Sequence, residues 1–255
     1  MISRKFRREP FLALAATLLC IAFVGPLSAA QHCSNASLLG TYGFLVTGTA
    51  ADGPVAIMGP ITADGNGNIS GFETISDNGV IGDSLGVTGT YKISSNCSGT
   101  ATIAAEGGIT AHYNLAVAPG GKVQMVATDS GTVESGFALP QGINSCSSSV
   151  FKGTYNIAEN GSLVGQGVAT FGGQMTLKAN GLLSGTRWGS VNGTISSGDT
   201  ISGAFKIGKT CFGAAVVSIN QEPQNYLNLV VVNGGHTVLF VQGDSGTVLS
   251  GSLER

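Results

Sequence analysis

The stretch Cys146-Ser147-Ser148-Ser149-Val150-Phe151-Lys152-Gly153-Thr154-Tyr155 restarts a pattern that opens at Cys33-Ser34-Asn35-Ala36-Ser37-Leu38-Leu39-Gly40-Thr41-Tyr42. Later landmarks repeat at nearly constant distance. Gly40-Thr41-Tyr42 matches Gly153-Thr154-Tyr155 at an offset of 113, and Gly89-Thr90-Tyr91-Lys92-Ile93 matches Gly203-Ala204-Phe205-Lys206-Ile207 at 114. Asp129-Ser130-Gly131-Thr132-Val133 matches Asp244-Ser245-Gly246-Thr247-Val248 at 115. A drift of two residues marks a duplication, and each copy has the size of a small domain.

The cysteines follow the same repeat. Cys33 and Cys97 are 64 residues apart, Cys146 and Cys211 are 65 apart, and the spacing assigns one disulfide to each copy. No Cys-x-x-Cys spacing accompanies them, so neither a metal centre nor a cofactor site is expected.

Met1 to Ala30 reads as a secretory signal. Arg4, Lys5, Arg7 and Arg8 precede the apolar run Phe11 to Val24, and Ser28-Ala29-Ala30 offers a small-residue cleavage site. The expected location is outside the cytoplasm, periplasmic or extracellular, with no membrane span after cleavage. Cleavage would remove four of the 12 basic residues and one of the 14 acidic ones, leaving 8 against 13, a net charge near −5. That balance argues against nucleic acid or an anionic membrane surface as a partner.

Forty glycines and few charges point to short strands and tight turns. In the first copy, Tyr42, Phe44 and Val46 share one face of a strand, and Leu85, Val87, Gly89, Tyr91 and Ile93 share one face of another. Asp64-Gly65-Asn66-Gly67-Asn68 is a turn, and Pro60 marks an edge or a bulge. About eight such strands per copy predict an all-β protein: two tandem antiparallel up-and-down, lipocalin-like β-barrels. The expected boundaries are a first barrel over 31–139, a linker over 140–145 and a second barrel over 146–255. The main alternative is a pair of immunoglobulin-like sandwiches, with a β-solenoid or an outer-membrane barrel behind it.

The strand layout resembles lipocalin-like and avidin-like barrels, with Gly40-Thr41-Tyr42 where lipocalins carry Gly-x-Trp. The paired cysteines and the Gly-Thr-Tyr opening resemble Gly-rich repeats of uncharacterised secreted bacterial proteins, a likeness that implies no activity.

Four stretches imitate catalytic or metal motifs. Gly82-Asp83-Ser84-Leu85-Gly86 has the form of a nucleophile elbow, but no helix or paired histidine follows, and the second copy lacks it. Asp129-Ser130-Gly131 and Asp244-Ser245-Gly246 recur in both copies and read as turns. Asp64 to Asn68 alternates oxygen ligands like a calcium loop, but Ile69 and Ile75 stand where glycine and glutamate are needed. His32, His112 and His236 match no ligand spacing, and Glu73 with its counterpart Arg187 reads as a pair of surface groups.

The candidate ligand-binding residues are Asn114, Asn228, Trp188, Tyr226 and Phe240. Asn114 and Asn228 occupy matching strand positions: they face outward if the barrels are filled, or serve as polar contacts in a wider cavity. Trp188, Tyr226 and Phe240 are candidate pocket walls. The expected function is non-enzymatic, with a small apolar ligand carried inside a barrel. The alternatives are an extracellular structural or protein-interaction module and, third, a barrel-type cyclase or a Ser84 esterase. The first two differ in whether the interior is hollow.

Overall fold

A computed structural model of the protein describes residues 32–222 and 224–255. The expected signal segment lies outside the described residues. Eight strands form a first closed antiparallel barrel: β1 (Gly40–Ala50), β2 (Gly53–Ala63), β3 (Asn68–Asp77), β4 (Val80–Ile93), β5 (Ser98–Ala105), β6 (Thr110–Val117), β7 (Val123–Ala127) and β8 (Val133–Pro140). Eight more form a second: β9 (Gly153–Leu163), β10 (Gly167–Leu177), β11 (Leu182–Val191), β12 (Thr194–Ile207), β13 (Phe212–Ile219), β14 (Asn225–Val232), β15 (Thr237–Gln242) and β16 (Thr247–Glu254). Each barrel closes first strand to last, as β1 to β8 and β9 to β16. Closure removes sheet edges, which fixes the architecture as barrels rather than sandwiches.

The residues dictate this locally. Alternation places Tyr42, Phe44 and Val46 inside the first barrel with Tyr113, Leu115 and Val117. Gly89 and Gly203 sit where strands crowd: a Cβ at Gly89 would lie 2.4 Å from the Thr102 carbonyl oxygen, and one at Gly203 2.0 Å from that of Val216. Pro60, expected at an edge or a bulge, instead sits inside β2 of the closed barrel, with the β2–β3 register unshifted from Met58↔Thr74 to Ile61↔Gly71.

Disulfides Cys33–Cys97 and Cys146–Cys211 staple one end of each barrel. Each first cysteine precedes a short 3-10 turn, Asn35–Leu38 or Ser148–Phe151, whose Leu38 or Phe151 is buried in the adjoining core. The Ile93 N–H donates to Asn35 Oδ1 at 2.8 Å, and the Ile207 N–H donates to Ser148 Oγ at 3.2 Å, so both plugs are pinned alike. In the chain-entropy model each staple contributes about 4 kcal/mol.

The barrels pack on each other. The outer faces of β1 and β2 lie against those of β14 to β16 through Leu45, Ala56, Met58, Val230, Val232, Leu239, Val241 and Val248, and Phe72 stacks edge-on against Phe212 at 5.0 Å. A Cβ at Gly43 would lie only 2.3 Å from a Val230 methyl and 2.5 Å from one of Val232, so a glycine there admits the neighbouring barrel. Polar contacts seal the rim: the Gly246 N–H donates to the Gly79 carbonyl at 2.9 Å, and the buried Gln141 side chain donates to the Thr210 carbonyl at 3.1 Å. β14 and β15 are thus buried on both faces, which is why they read as near-continuous apolar runs.

Candidate functional site

The structure scatters the residues singled out in the sequence. Asn114 is exposed on the outer face of β6, and Asn228 lies half-buried on the outer face of β14. Trp188 is 56% exposed and Tyr226 53% exposed, so neither lines an interior. Of the five, Phe240 faces into the second barrel, where it borders a small void of about 40 Å³. Trp188 points out by simple alternation: it pairs with Gly172 and shares the outward parity of Leu182, Ser184 and Thr186, while Leu183 and Arg187 face in.

The first barrel encloses an apolar cavity of about 70 Å³. Its wall comes from every strand: Phe44 and Val46 of β1, Ile57 and Ile61 of β2, Val87 of β4, Ile103 of β5, Leu115 of β6, Met125 of β7 and Ala138 of β8. Into this wall β3 delivers Glu73, 8% exposed. No hydrogen bond or ion pair reaches its carboxylate among the described residues. Burial without a partner pushes its pKa up to about 7.

Glu73 therefore corrects the surface placement expected from the sequence. It shares the inward face of β3 with Ile69, two steps of period two away, and that parity was the available signal. Further acidic groups lie toward the end of the barrel remote from the disulfide. Glu134 keeps the inward parity of Ala138, and Asp77 pairs with Val55 on the inward face of β2. Burial raises both, Asp129 and Asp77 adding to the effect on Glu134 and Asp52 to that on Asp77. One oxygen of Asp77 is buried without a hydrogen-bond partner. Tyr113, on the cavity wall, has its phenol raised by burial and then by Glu134, Glu73 and Asp129.

The second barrel solves the same interior differently. Arg187, also predicted at the surface, turns inward with 20% of its side chain exposed and lies 3.6 Å from Glu159 and 3.9 Å from Asp199. Its guanidinium stacks over Phe171 at 4.1 Å. Burial pushes Glu159 up to about 7 against the opposing pull of Arg187. What space is left divides into voids of about 40 and 10 Å³. The acid has a cation beside it from the chain itself, although Arg187 Nε is left without a hydrogen-bond partner.

The imitations of catalytic motifs resolve as backbone devices. Ser84 is exposed within β4 in a left-handed conformation (φ 55°), and its hydroxyl reaches only Asp83, at 3.5 Å. Asp129 accepts the His112 N–H at 2.7 Å, and Asp244 accepts the Tyr226 N–H at 2.9 Å, so the two Asp-Ser-Gly turns do the same structural work. His112 also meets Asp129 through Nδ1 at 2.7 Å, on the open surface. The Asp64 carboxylate accepts the N–H groups of Asn66, Gly67 and Asn68 and the Asn68 amide, which hold its pKa down at about 2. That turn is a self-satisfied hairpin.

Fold and site together describe a double β-barrel in which one interior has a single apolar cavity with an unpaired acid and the other has smaller voids around an Arg187–Glu159 pair. No family model and no curated protein matches the chain. Among solved structures, the crystal structure of CghA with Sch210972 matches at 11% identity over 84% of this chain and 88% of that one, with a TM-score of 0.24. At that score the likeness carries no argument about fold or function.

Proposed function

We propose that the protein is a secreted, non-enzymatic binding protein that holds a small apolar ligand in the interior of its first barrel. The observation that carries this is the cavity of about 70 Å³ walled by aliphatic and aromatic side chains from all eight strands, whereas the second barrel divides its space into voids of about 40 and 10 Å³. Apolar enclosure with few polar groups is the usual form of a small-ligand site. The volume sets the ligand's size: it is about half the ~150 Å³ of a dry cavity that takes benzene, which leaves room for about three to five non-hydrogen atoms. Secretion is supported by the Met1–Ala30 sequence pattern and by one disulfide in each barrel.

Methyl NMR with small hydrocarbons and alcohols tests the reading. Shifts confined to Ile57, Val87 and Met125, and abolished in Ala101→Leu, are expected. Shifts centred on Val217 and Leu253 in the second barrel would overturn the assignment.

A second reading, an extracellular interaction module, has one observation in its favour. Trp188 stands exposed on the outer wall of β11, its indole Nε1 3.4 Å from where a Cβ at Gly172 would be. Tryptophan is enriched where proteins meet. A partner there would blue-shift the emission of this single tryptophan.

A further inference from the structure

We propose that the ligand of the first barrel is a small apolar amine, bound as its ammonium ion by the carboxylate of Glu73. The proposal rests on reading that cavity as a ligand site, and adds the ligand's charge.

The argument begins with what Glu73 lacks. A carboxylate more than nine-tenths buried ordinarily has a cation or several N–H donors, because unpaired burial of charge is costly. Glu73 has neither among the described residues, yet it lines the cavity. The missing partner fits the space in front of it.

The second barrel supplies the comparison. Arg187 occupies the position equivalent to Glu73, each immediately before the same register slip, Glu73/Ile75 in β3 and Arg187/Gly189 in β11. There the interior contains a complete cation–carboxylate pair, Arg187 with Glu159. At the position equivalent to Glu159 the first barrel has Val46. This copy therefore keeps an acid and contains no cation of its own at either position. A ligand ammonium would restore the balance that the second barrel builds from side chains.

Charge of the surroundings selects the same class. The titratable groups sharing the interior with Glu73 are Tyr42 on β1, Asp77 on β3, Tyr91 on β4, Tyr113 on β6 and Glu134 on β8. The Tyr91 hydroxyl is already committed, donating to the Asn35 carbonyl at 3.0 Å. The ionised neighbours acting on Tyr113 and Glu134 are all carboxylates. An anionic ligand would be repelled, whereas an ammonium with a short hydrocarbon tail meets opposite charge at its head and apolar wall along its length.

The test is an NMR titration of the full chain with three ligands of five non-hydrogen atoms each, isobutylamine, isobutanol and propionate, at pH 8.5 and pH 5.5. At pH 8.5 the amine is expected to bind at least about tenfold more tightly than the alcohol, since an ion pair adds to equal apolar contact. Glu73→Gln should reduce the amine to the alcohol's affinity, with a dispersed methyl NMR spectrum showing that the variant is folded. With the Glu73 pKa at about 7, lowering the pH to 5.5 should weaken amine binding about thirty-fold, because a proton must leave before the ion pair forms. If the alcohol or propionate binds as well as the amine, the amine assignment is overturned while the ligand site stands. If none of the three binds, both fall.

Discussion

Glu73 and Arg187 occupy the same site in the two barrels, inward-facing at one β-bulge, with opposite charge. In one barrel the charge is answered within the chain; in the other it faces a cavity. Four predictions follow from this relationship and from the packing around it.

Stability should respond to the unanswered charge. The Glu73 pKa is raised from 4.5 to about 7, so between those pH values the folded protein binds more protons than the unfolded chain. Its contribution to stability therefore falls as pH rises through that window and is flat above it, with an upper bound of about 3 kcal/mol. Burial of Glu134 and Asp77 acts in the same direction. Glu73→Gln should match the wild type at pH 4 and exceed it at pH 8 in urea unfolding of the ligand-free protein. Equal stabilities at both pH values would contradict the burial.

In the second barrel burial raises Glu159 in the same direction, but a cation stands beside it. Arg187→Met removes the cation beside Glu159 and leaves a buried carboxylate alone, which should cost about 3–5 kcal/mol at neutral pH. Combining it with Glu159→Val, the residue pattern of the first barrel, should recover most of that loss. A double variant no more stable than the single one would show that the pair is not coupled.

Gly43 tests how the barrels depend on one another. A side chain there would meet the Val230 and Val232 methyls at 2.3 and 2.5 Å. Gly43→Val should destabilise by about 1–3 kcal/mol through overpacking and broaden or divide the unfolding transition seen by calorimetry. A variant with an unchanged single transition would place the interface elsewhere.

Peptide mapping without reductant should return Cys33–Cys97 and Cys146–Cys211. Replacing Cys146 and Cys211 by alanine should cost about 2–5 kcal/mol, and the second barrel should be the one that loosens. A Cys33–Cys146 link would contradict the fold.

The architecture was legible because it is written in spacing. Cysteine separation, the repeated Gly-Thr-Tyr opening and the alternation of Tyr42, Phe44 and Val46 each report local geometry that survives into the fold. Trp188 was misread because an aromatic side chain was taken for a pocket wall, although its parity with Leu182 and Thr186, opposite to Leu183, pointed outward. Glu73 was read as a surface charge because charged residues in strands usually are, although its parity with Ile69 pointed inward. Comparing the copies filtered out false motifs such as Ser84. The same comparison held the useful signal in the Glu73–Arg187 difference, which needed three-dimensional context to acquire meaning.

The barrels meet by unlike faces, the opening strands of one against the closing strands of the other. Such a head-to-tail contact has no internal stop: identical units could add without limit, as in a filament. The two unused faces show what ends the series. On the first barrel, Ala116 and Gln124 stand exposed where the second has Val230 and Leu239; on the second, Asn156 and Gln174 stand exposed where the first has Gly43 and Pro60. These substitutions make both outer ends less apolar than the joint between the barrels, although Val126 and Val133 stay exposed where the second barrel buries Val241 and Val248.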